Sequence, residues 1–112
     1  MTIENLTLKE IRELQSMFNQ SNEKPHPFKV GQAYFIRTVT MIIVGKLEKV
    51  FDNELLLSDA SWIADTGRFS DCLKKGESVI NEIEPFHDEV IIGRNSIIDA
   101  TIWSHNLPKN QK

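Results

Sequence analysis

Residues 33–44 read AYFIRTVTMIIV, a run dense in the β-branched and aromatic side chains that favour strands. The run is too long for one flat strand, so we expect a tight turn near 39–41 and a second strand that continues to residue 50. Gly45 falls inside this second strand, where the absence of a side chain permits strong curvature. The sequence therefore predicts a strongly bent β-hairpin at the centre of the fold.

The chain after this hairpin predicts further short strands and a helical insertion. Asp52 and Asn53 are typical turn residues, and the strand that follows them completes a meander. Gly76 is placed to end a short helix that Asp65 or Thr66 caps. The expected elements are a strand at 54–58, an irregular turn at 59–67, a helix at 68–75, strands at 80–83, 89–92 and 96–103, and a frayed tail from residue 106.

An amphipathic helix is expected before the hairpin. Thr7 and Glu10 have the spacing of a capping box, and apolar residues recur at helical spacing from Leu8 to Phe18. Two prolines in segment 21–27 end this helix. The single domain of residues 1–112 is thus predicted to comprise an N-terminal helix at 1–22 and a β body at 30–105 with an insertion at about 60–88.

The composition is that of one small globular domain: 112 residues, of which 40% are hydrophobic and 26% charged. A formal net charge of -3 argues against general nucleic-acid binding, which usually requires a basic face. No apolar run approaches the roughly 20 residues that span a bilayer, and no signal-peptide pattern is present, so we expect a cytoplasmic protein without a membrane partner. Because so small a domain buries only about 65% of its unfolded surface, we also expect a homo-oligomer.

The sequence shows no pattern typical of a catalytic or metal site. The three histidines, His26, His87 and His105, lack zinc-ligand spacing, and the single cysteine, Cys72, fits a buried packing role in the predicted helix. There is no nucleophile elbow, Walker loop or dinucleotide-binding glycine motif. We therefore expect no catalytic residue, metal or cofactor, and a binding protein rather than an enzyme.

Residues 60–69, ASWIADTGRF, are the first of two segments that carry the side chains of a ligand site. Trp62 offers a face for stacking a base, and Arg68 offers a planar fork for phosphate. Asp65 and Thr66 can fix a sugar or a base edge by hydrogen bonds. The alternative is structural: Asp65 pairs with Arg68, and Trp62 plugs the core beneath the insertion.

The second segment is the last strand with the turn before it, residues 92–105. Strand alternation places Asp99, Thr101 and Trp103 on one surface together with Ile97. The opposite, core-facing set is expected to consist of Ile98, Ala100, Ile102 and Ser104. Arg94 in the turn is a further candidate for phosphate. A solvated outer sheet face is the alternative.

Arg37 is the unusual residue of the first strand, since alternation directs it to the same side as Phe35 and Val39. Such an arginine lies either at a rim or interface, where it can meet a phosphate, or it is partly buried beside a carboxylate. The candidate partners are Asp59, Asp65 and Asp99.

The order of helix, meander, insertion and closing hairpin is that of a small SH3-like or Sm-like barrel, and the hairpin VIIGRNSIIDATI resembles the Sm2-type pattern. The predicted fold is α+β: an N-terminal helix followed by a small, strongly bent antiparallel five-stranded SH3/Sm-like β-barrel with a helical insertion. The strings YFIRTVT, LSDASWIADTGRF, IEPF, VIIGRNSIIDATIW and HNLP together resemble, over residues 30–110, a family of small tailed-phage proteins of mostly uncharacterised role. This resemblance implies expression in the cytoplasm of an infected bacterium and no established catalytic activity.

Small phage proteins of this kind include anti-CBASS and anti-Thoeris sponges, which sequester cyclic nucleotide immune signals without cleaving them. With the Trp, Arg, Thr and Asp side chains described above, the resemblance favours a phage-encoded, non-catalytic sponge for a cyclic di- or trinucleotide, acting in evasion of host defence. The alternatives are an Sm-like RNA-binding ring, a virion or morphogenesis protein without a small ligand, and an enzyme acting on nucleotides.

Overall fold

The computed structural model describes residues 25–112, and the helix predicted at 1–22 lies outside them. In the described part the fold is α+β, with six antiparallel strands and one α-helix. The elements are β1 (Ala33–Thr38), β2 (Ile42–Val50), β3 (Glu54–Asp65), α1 (Phe69–Lys75), β4 (Glu82–Pro85), β5 (Val90–Gly93) and β6 (Ile97–Ile102), with short 3-10 turns at Gly76–Val79 and Arg94–Ser96. The predicted hairpin, with its turn at 39–41, is confirmed.

Strand β3 is longer than the sequence predicted. The expected irregular turn at 59–67 was wrong, because the strand continues as far as Asp65. The whole strand, Glu54–Asp65, has twelve residues. A β-bulge makes this continuation possible: Asp59 and Ala60 together lie opposite Gly45, and Asp59 adopts a positive φ of 47°. The first half of β3 then pairs with β5, and its second half pairs with β4.

The strands form one sheet in the order β4-β3-β2-β1-β6, and β5 pairs with β3 beside this path. The predicted number of five strands was wrong, because the long β3 has room for two partners along one edge. Strands β4 and β6 end the sheet and do not pair with each other, so the described pairing does not include the predicted closure of a barrel.

Gly45 lies at a close approach between β2 and β3. A Cβ atom at this position would lie 3.0 Å from Ala60 Cβ and 3.3 Å from Leu57 Cβ. Such contacts are tighter than nearly all real Cβ contacts, so a side chain at position 45 would require the neighbouring residues of β3 to shift. Gly45 thus lies opposite the bulge of β3, and its role in curvature stays a prediction.

Apolar side chains cover both faces of the sheet. The first cluster consists of Tyr34, Ile36, Ile43, Leu47, Leu55, Leu57, Ala60 and Ile92. The second cluster, on the opposite face, consists of Phe35, Val44, Ile63, Cys72, Ile80, Ile83 and Trp103. Neighbouring residues of β1 alternate between the two clusters, so this strand is buried on both sides.

Helix α1 contributes Cys72 to the second cluster, and the predicted helix and buried cysteine are both confirmed. Neither Asp65 nor Thr66 caps the helix; Arg68 occupies the N-cap position without a side-chain hydrogen bond. Gly76 ends the helix with a φ of 76°, as the sequence predicted. Within the described residues, no helix has the length and hydropathy that crossing a bilayer requires.

The C-terminal tail is packed against the body of the domain, which contradicts the predicted fraying from residue 106. Leu107 packs on the second cluster, and Pro108 is buried. Lys112 and Ile83 exchange two backbone hydrogen bonds of 3.0 Å, so the tail pairs with the outer edge of β4. A polar composition hid this packing, because the few apolar residues of the tail are the ones that contact the core.

Candidate functional site

The charged pair of Arg37 and Asp99 is the best-defined polar contact of the predicted site. The two residues lie directly opposite each other on β1 and β6, and Arg37 donates to both carboxylate oxygens, with Nε 2.8 Å from Oδ1. The guanidinium also lies over the ring of Phe69, 5.0 Å from its centre. Of the three carboxylates that were predicted as possible partners of Arg37, Asp99 is therefore the one that binds it.

Hydrogen bonding within this pair shifts the pKa of both side chains. The bonds from Arg37 lower the pKa of the Asp99 carboxyl, and the same bonds raise the pKa of the Arg37 guanidinium. Both side chains stay close to half exposed. Each charge already has its partner, so a phosphate at Arg37 would compete with Asp99.

Trp103 lies in the core, and its predicted place on an open binding face was wrong. It is 2% exposed, stacks on Phe35 with ring centres 5.8 Å apart, and donates its indole N–H to the Asn106 carbonyl. Trp103 keeps the alternation of Asp99 and Thr101, since its backbone N–H bonds to Ala33, two residues before the Phe35 that lies opposite Thr101. The face is closed at Trp103 because the second cluster covers it, with Cys72 of α1 and Leu107 of the tail.

A register shift opposite Arg37 and Thr38 makes Ile98 an extra residue in β6 and moves Ile97 to the face of Ala100. Ile98 and Ile102, expected in the core, are 65% and 50% exposed, whereas Ile97 packs against the first cluster. Ala100 packs against this cluster as predicted. Asp99 and Thr101 are exposed as predicted.

Trp62 is the aromatic residue of the predicted site that stays accessible. It lies in β3 between Ile43 of β2 and Glu84 of β4, and it is 42% exposed. The alternative that made Trp62 a fully enclosed core plug therefore does not hold.

The polar residues after Trp62 form a local turn. Asp65 Oδ1 accepts a hydrogen bond of 2.9 Å from the Gly67 backbone N–H, and Thr66 Oγ1 donates to the Gly67 carbonyl. Arg68 is exposed, and no ion pair joins it to Asp65 among the described contacts. The turn presents Arg68 to solvent, while Asp65 and Thr66 are engaged with the backbone.

Arg94 has a structural role at the other end of the sheet. Its guanidinium donates to the carbonyls of Phe51 and Asp52 and lies over the ring of Phe28. These contacts tie the turn before β6 to the turn between β2 and β3. The structure therefore does not bring Arg94 together with Trp62 or Arg37 into one ligand site.

A polar cleft that the sequence did not predict lies between the bend of the sheet and the C-terminal tail. Its volume is about 610 Å³, within the range of roughly 300–1,000 Å³ usual for small-molecule sites. The polar side chains that line it are Lys46, Asp59, Glu77, His105, Asn106, Lys109 and Asn110. The string HNLP contains two of these residues, His105 and Asn106. The tail was predicted to be frayed, so no binding role was predicted for it.

His105 is held firmly at this cleft. Its Nε2 lies 2.8 Å from the Leu73 carbonyl of α1, and because a carbonyl only accepts, Nε2 carries the proton. Its ring also packs against Gly76, where an added Cβ would lie 2.8 Å from the imidazole Cγ. A smaller cleft of about 380 Å³ shares His105, Asn106 and Glu77 and adds Lys75.

The possible metal ligands and the single cysteine bear on metal and thiol chemistry. Among residues 25–112, no group of three or more histidine, cysteine or carboxylate side chains is placed to hold a metal ion. Burial raises the pKa of the Cys72 thiol, which disfavours its nucleophilic thiolate form. Comparison with family models, curated proteins and solved structures found no match to the chain.

Proposed function

We propose that the protein is a non-catalytic binding protein for a small, anionic, nucleotide-type ligand. The observation that carries this proposal is the polar cleft, where Lys46, Lys109 and His105 line one cavity with two asparagines. Lysine ammonium groups recognise phosphates as point charges, and asparagine amides can donate to phosphate or pair with a base edge. Asp59 and Glu77 can accept hydrogen bonds from sugar hydroxyls or base amino groups.

The chemistry of this cleft selects against most other ligand classes. Ordinary small-molecule pockets are predominantly apolar, whereas seven of the ten residues that line this cleft have charged or polar side chains. Trp62 is not among the lining residues, so the proposal assigns recognition to charge and hydrogen bonds rather than to base stacking. A cyclic di- or trinucleotide combines phosphates, sugars and base edges in one compact molecule and fits this donor set.

The biological setting is part of the same proposal. The resemblance to small tailed-phage proteins supports a sponge that sequesters a cyclic nucleotide immune signal in the cytoplasm of an infected bacterium. A small SH3/Sm-like barrel is the fold that we propose for the body. The close approach of β2 to the bulge of β3 at Gly45, the division of β3 between two partners and the 3-10 turn between β5 and β6 support it.

The test is thermal unfolding of the full chain against a panel of cyclic di- and trinucleotides. A ligand at 100 times its Kd adds about 2.7 kcal/mol, which raises the Tm of a domain this size by about 10 °C or more. The double variant Asn106→Ala/Lys109→Ala should lose this shift, whereas Lys49→Ala, an exposed lysine outside the cleft, should keep it. Chromatography of the ligand after incubation should recover it intact.

Each negative or unexpected result in this experiment rejects or supports a different hypothesis about the function. If no nucleotide of the panel raises the Tm, the sponge is rejected, and a turned-over nucleotide would replace it with an enzyme. A single-stranded RNA arm addresses the Sm-like ring, whose binding would weaken steeply with salt.

A second candidate is a virion or morphogenesis protein, and one observation favours it. Several large apolar side chains are strongly exposed, with Val39, Ile91 and Ile98 between 65% and 72%. Such residues can anchor a protein interface. Recovery of the chain in purified phage particles would support this candidate over the sponge.

A further inference from the structure

Strand β6 is an end strand of the sheet whose sequence carries few of the usual barriers to strand pairing. In the part of the chain that the structure describes, no segment pairs with its outer edge. Natural edge strands are commonly protected by lysine, proline, a β-bulge or a covering loop. Strand β6 has one of these, the bulge at Ile98 near its N-terminal end, which leaves Asp99–Ile102 in regular register. The strand reads IIDATI, and its one charge, Asp99, is neutralised by Arg37 within the same chain.

The hydrogen-bonding pattern shows which backbone groups this edge presents. Trp103 N donates to the Ala33 carbonyl at 2.9 Å, which makes these two residues a hydrogen-bonded antiparallel pair. Because such pairs alternate along a ladder, the backbone groups of Asp99 and Thr101 face β1. Those of Ala100 and Ile102 therefore face outward and need a partner from outside the described sheet.

We infer that β6 pairs antiparallel with β6 of a second copy of this chain, about a two-fold axis at Ala100. This register joins the outward backbone groups of Ala100 to those of the same residue in the second copy. It also brings Ile98, the extra residue of the β6 bulge, next to Ile102 of the second copy, and Ile102 next to Ile98. The two isoleucines of the strand, 65% and 50% exposed in the single chain, are thereby matched to each other.

Charge disfavours one of the two neighbouring registers. A shift by one position toward the N-terminus would place Asp99 opposite Asp99 of the second copy, and like charges directly opposite are destabilising. With the axis at Ala100, Asp99 lies opposite Thr101. An isologous two-fold contact is also the commonest symmetry of soluble oligomers. This inference does not depend on the ligand cleft, which lies on other elements.

The test uses paired charges at the two isoleucines. Light scattering coupled to size exclusion should give a dimer mass for the wild-type chain. The variant Ile98→Lys/Ile102→Lys places like charges opposite each other and should raise the dimer Kd about tenfold or more, so that the mass falls toward the monomer. The variant Ile98→Lys/Ile102→Glu places opposite charges together and should keep the dimer, with a new sensitivity to salt.

Two controls separate this register from other causes. The variant Val39→Lys/Ile91→Lys adds the same charge at residues that are 72% and 69% exposed outside β6, and it should leave the dimer intact. Circular dichroism and Tm report whether each variant is folded, as substitutions at exposed positions should be. A monomeric wild-type chain, or a dimer that responds equally to both β6 variants or to the control, would overturn the inference.

Discussion

Arg37 joins three elements through one side chain. It lies on β1, it binds both oxygens of Asp99 on β6, and it contacts the ring of Phe69 at the start of α1. A bidentate geometry is the form in which an arginine–carboxylate pair is most specific. The pair is nevertheless close to half exposed, so solvent screening limits its contribution to stability.

Asp99 should give the protein a specific sensitivity to acid. Its pKa is lowered in the folded chain by the hydrogen bonds from Arg37, so its contribution is present above the unfolded pKa of about 3.9. The contribution is lost as the pH falls through the still lower folded pKa, and the free energy of unfolding should therefore decrease below about pH 4. Urea unfolding at a series of pH values measures this slope.

The matched variants for this slope are Asp99→Asn and Asp88→Asn. Asp99→Asn should flatten the acid dependence. Asp88→Asn should preserve it, because Asp88 is exposed in the turn before β5 and forms no ion pair with the described residues. Equal acid slopes in Asp99→Asn and the wild-type chain would show that the pair does not control this behaviour.

Sequence reasoning at the scale of single residues succeeded where one strict rule applied. Alternation in β1 correctly placed Arg37 on the face of Phe35, and one of the two alternatives left open for it, a carboxylate partner, included Asp99 among three candidates. The same rule failed for Ile97, because a bulge at Ile98 shifts the phase of β6 and no local residue signals it. For Trp103 the rule gave the right face but not its burial, which depends on packing with α1 and the tail. The cleft at His105 was missed since it depends on where the tail packs, which is a property of the whole chain.

At the scale of elements, Gly45 lies where β2 closely approaches the bulge of β3. Gly45→Ala should destabilise the protein by about 1–3 kcal/mol, the usual cost of overpacking, because the new methyl group would meet Ala60 Cβ at 3.0 Å. Gly93→Ala is the matched control. Its Cβ meets nothing within 4 Å and its φ of -74° suits any residue, so it should be neutral or stabilise by up to about 1 kcal/mol.

Urea unfolding of the two alanine variants measures the difference between these glycines. If Gly45→Ala costs no more than Gly93→Ala, the close approach of β2 and β3 is not what requires glycine at position 45. A crystal structure of the first variant should then show the bend unchanged.

The elements that the local sequence determines were predictable from the sequence. The element whose extent depends on pairing with another strand was not. The hairpin of β1 and β2 and the helix that Gly76 ends follow from propensity and turn chemistry. The second half of β3 does not, because Asp59 and the polar residues near it are typical of a turn. They stay in a strand because β4 pairs along that edge. The number of strands was wrong for the same reason.

For the whole molecule, the tail and α1 together close the second cluster. His105 of the tail lies beside α1, where its Nε2–H donates to the Leu73 carbonyl. Leu107 packs on the cluster that contains Cys72. Lys112 then fastens the tail to β4. These contacts make the tail part of the folding unit, so opening of the tail and exposure of the cluster should be linked.

Cys72 is a built-in reporter of this linkage, since it is the single cysteine of the chain. It is fully buried, and burial raises the pKa of its thiol, so a thiol reagent should label the native protein only through opening. Removal of residues 107–112 should speed labelling by about tenfold or more, which corresponds to about 1.4 kcal/mol of lost opening free energy. Asn110→Ala, an exposed change within an intact tail, should label at the wild-type rate. An unchanged rate after truncation would mean that the sheet and α1 protect Cys72 without the tail.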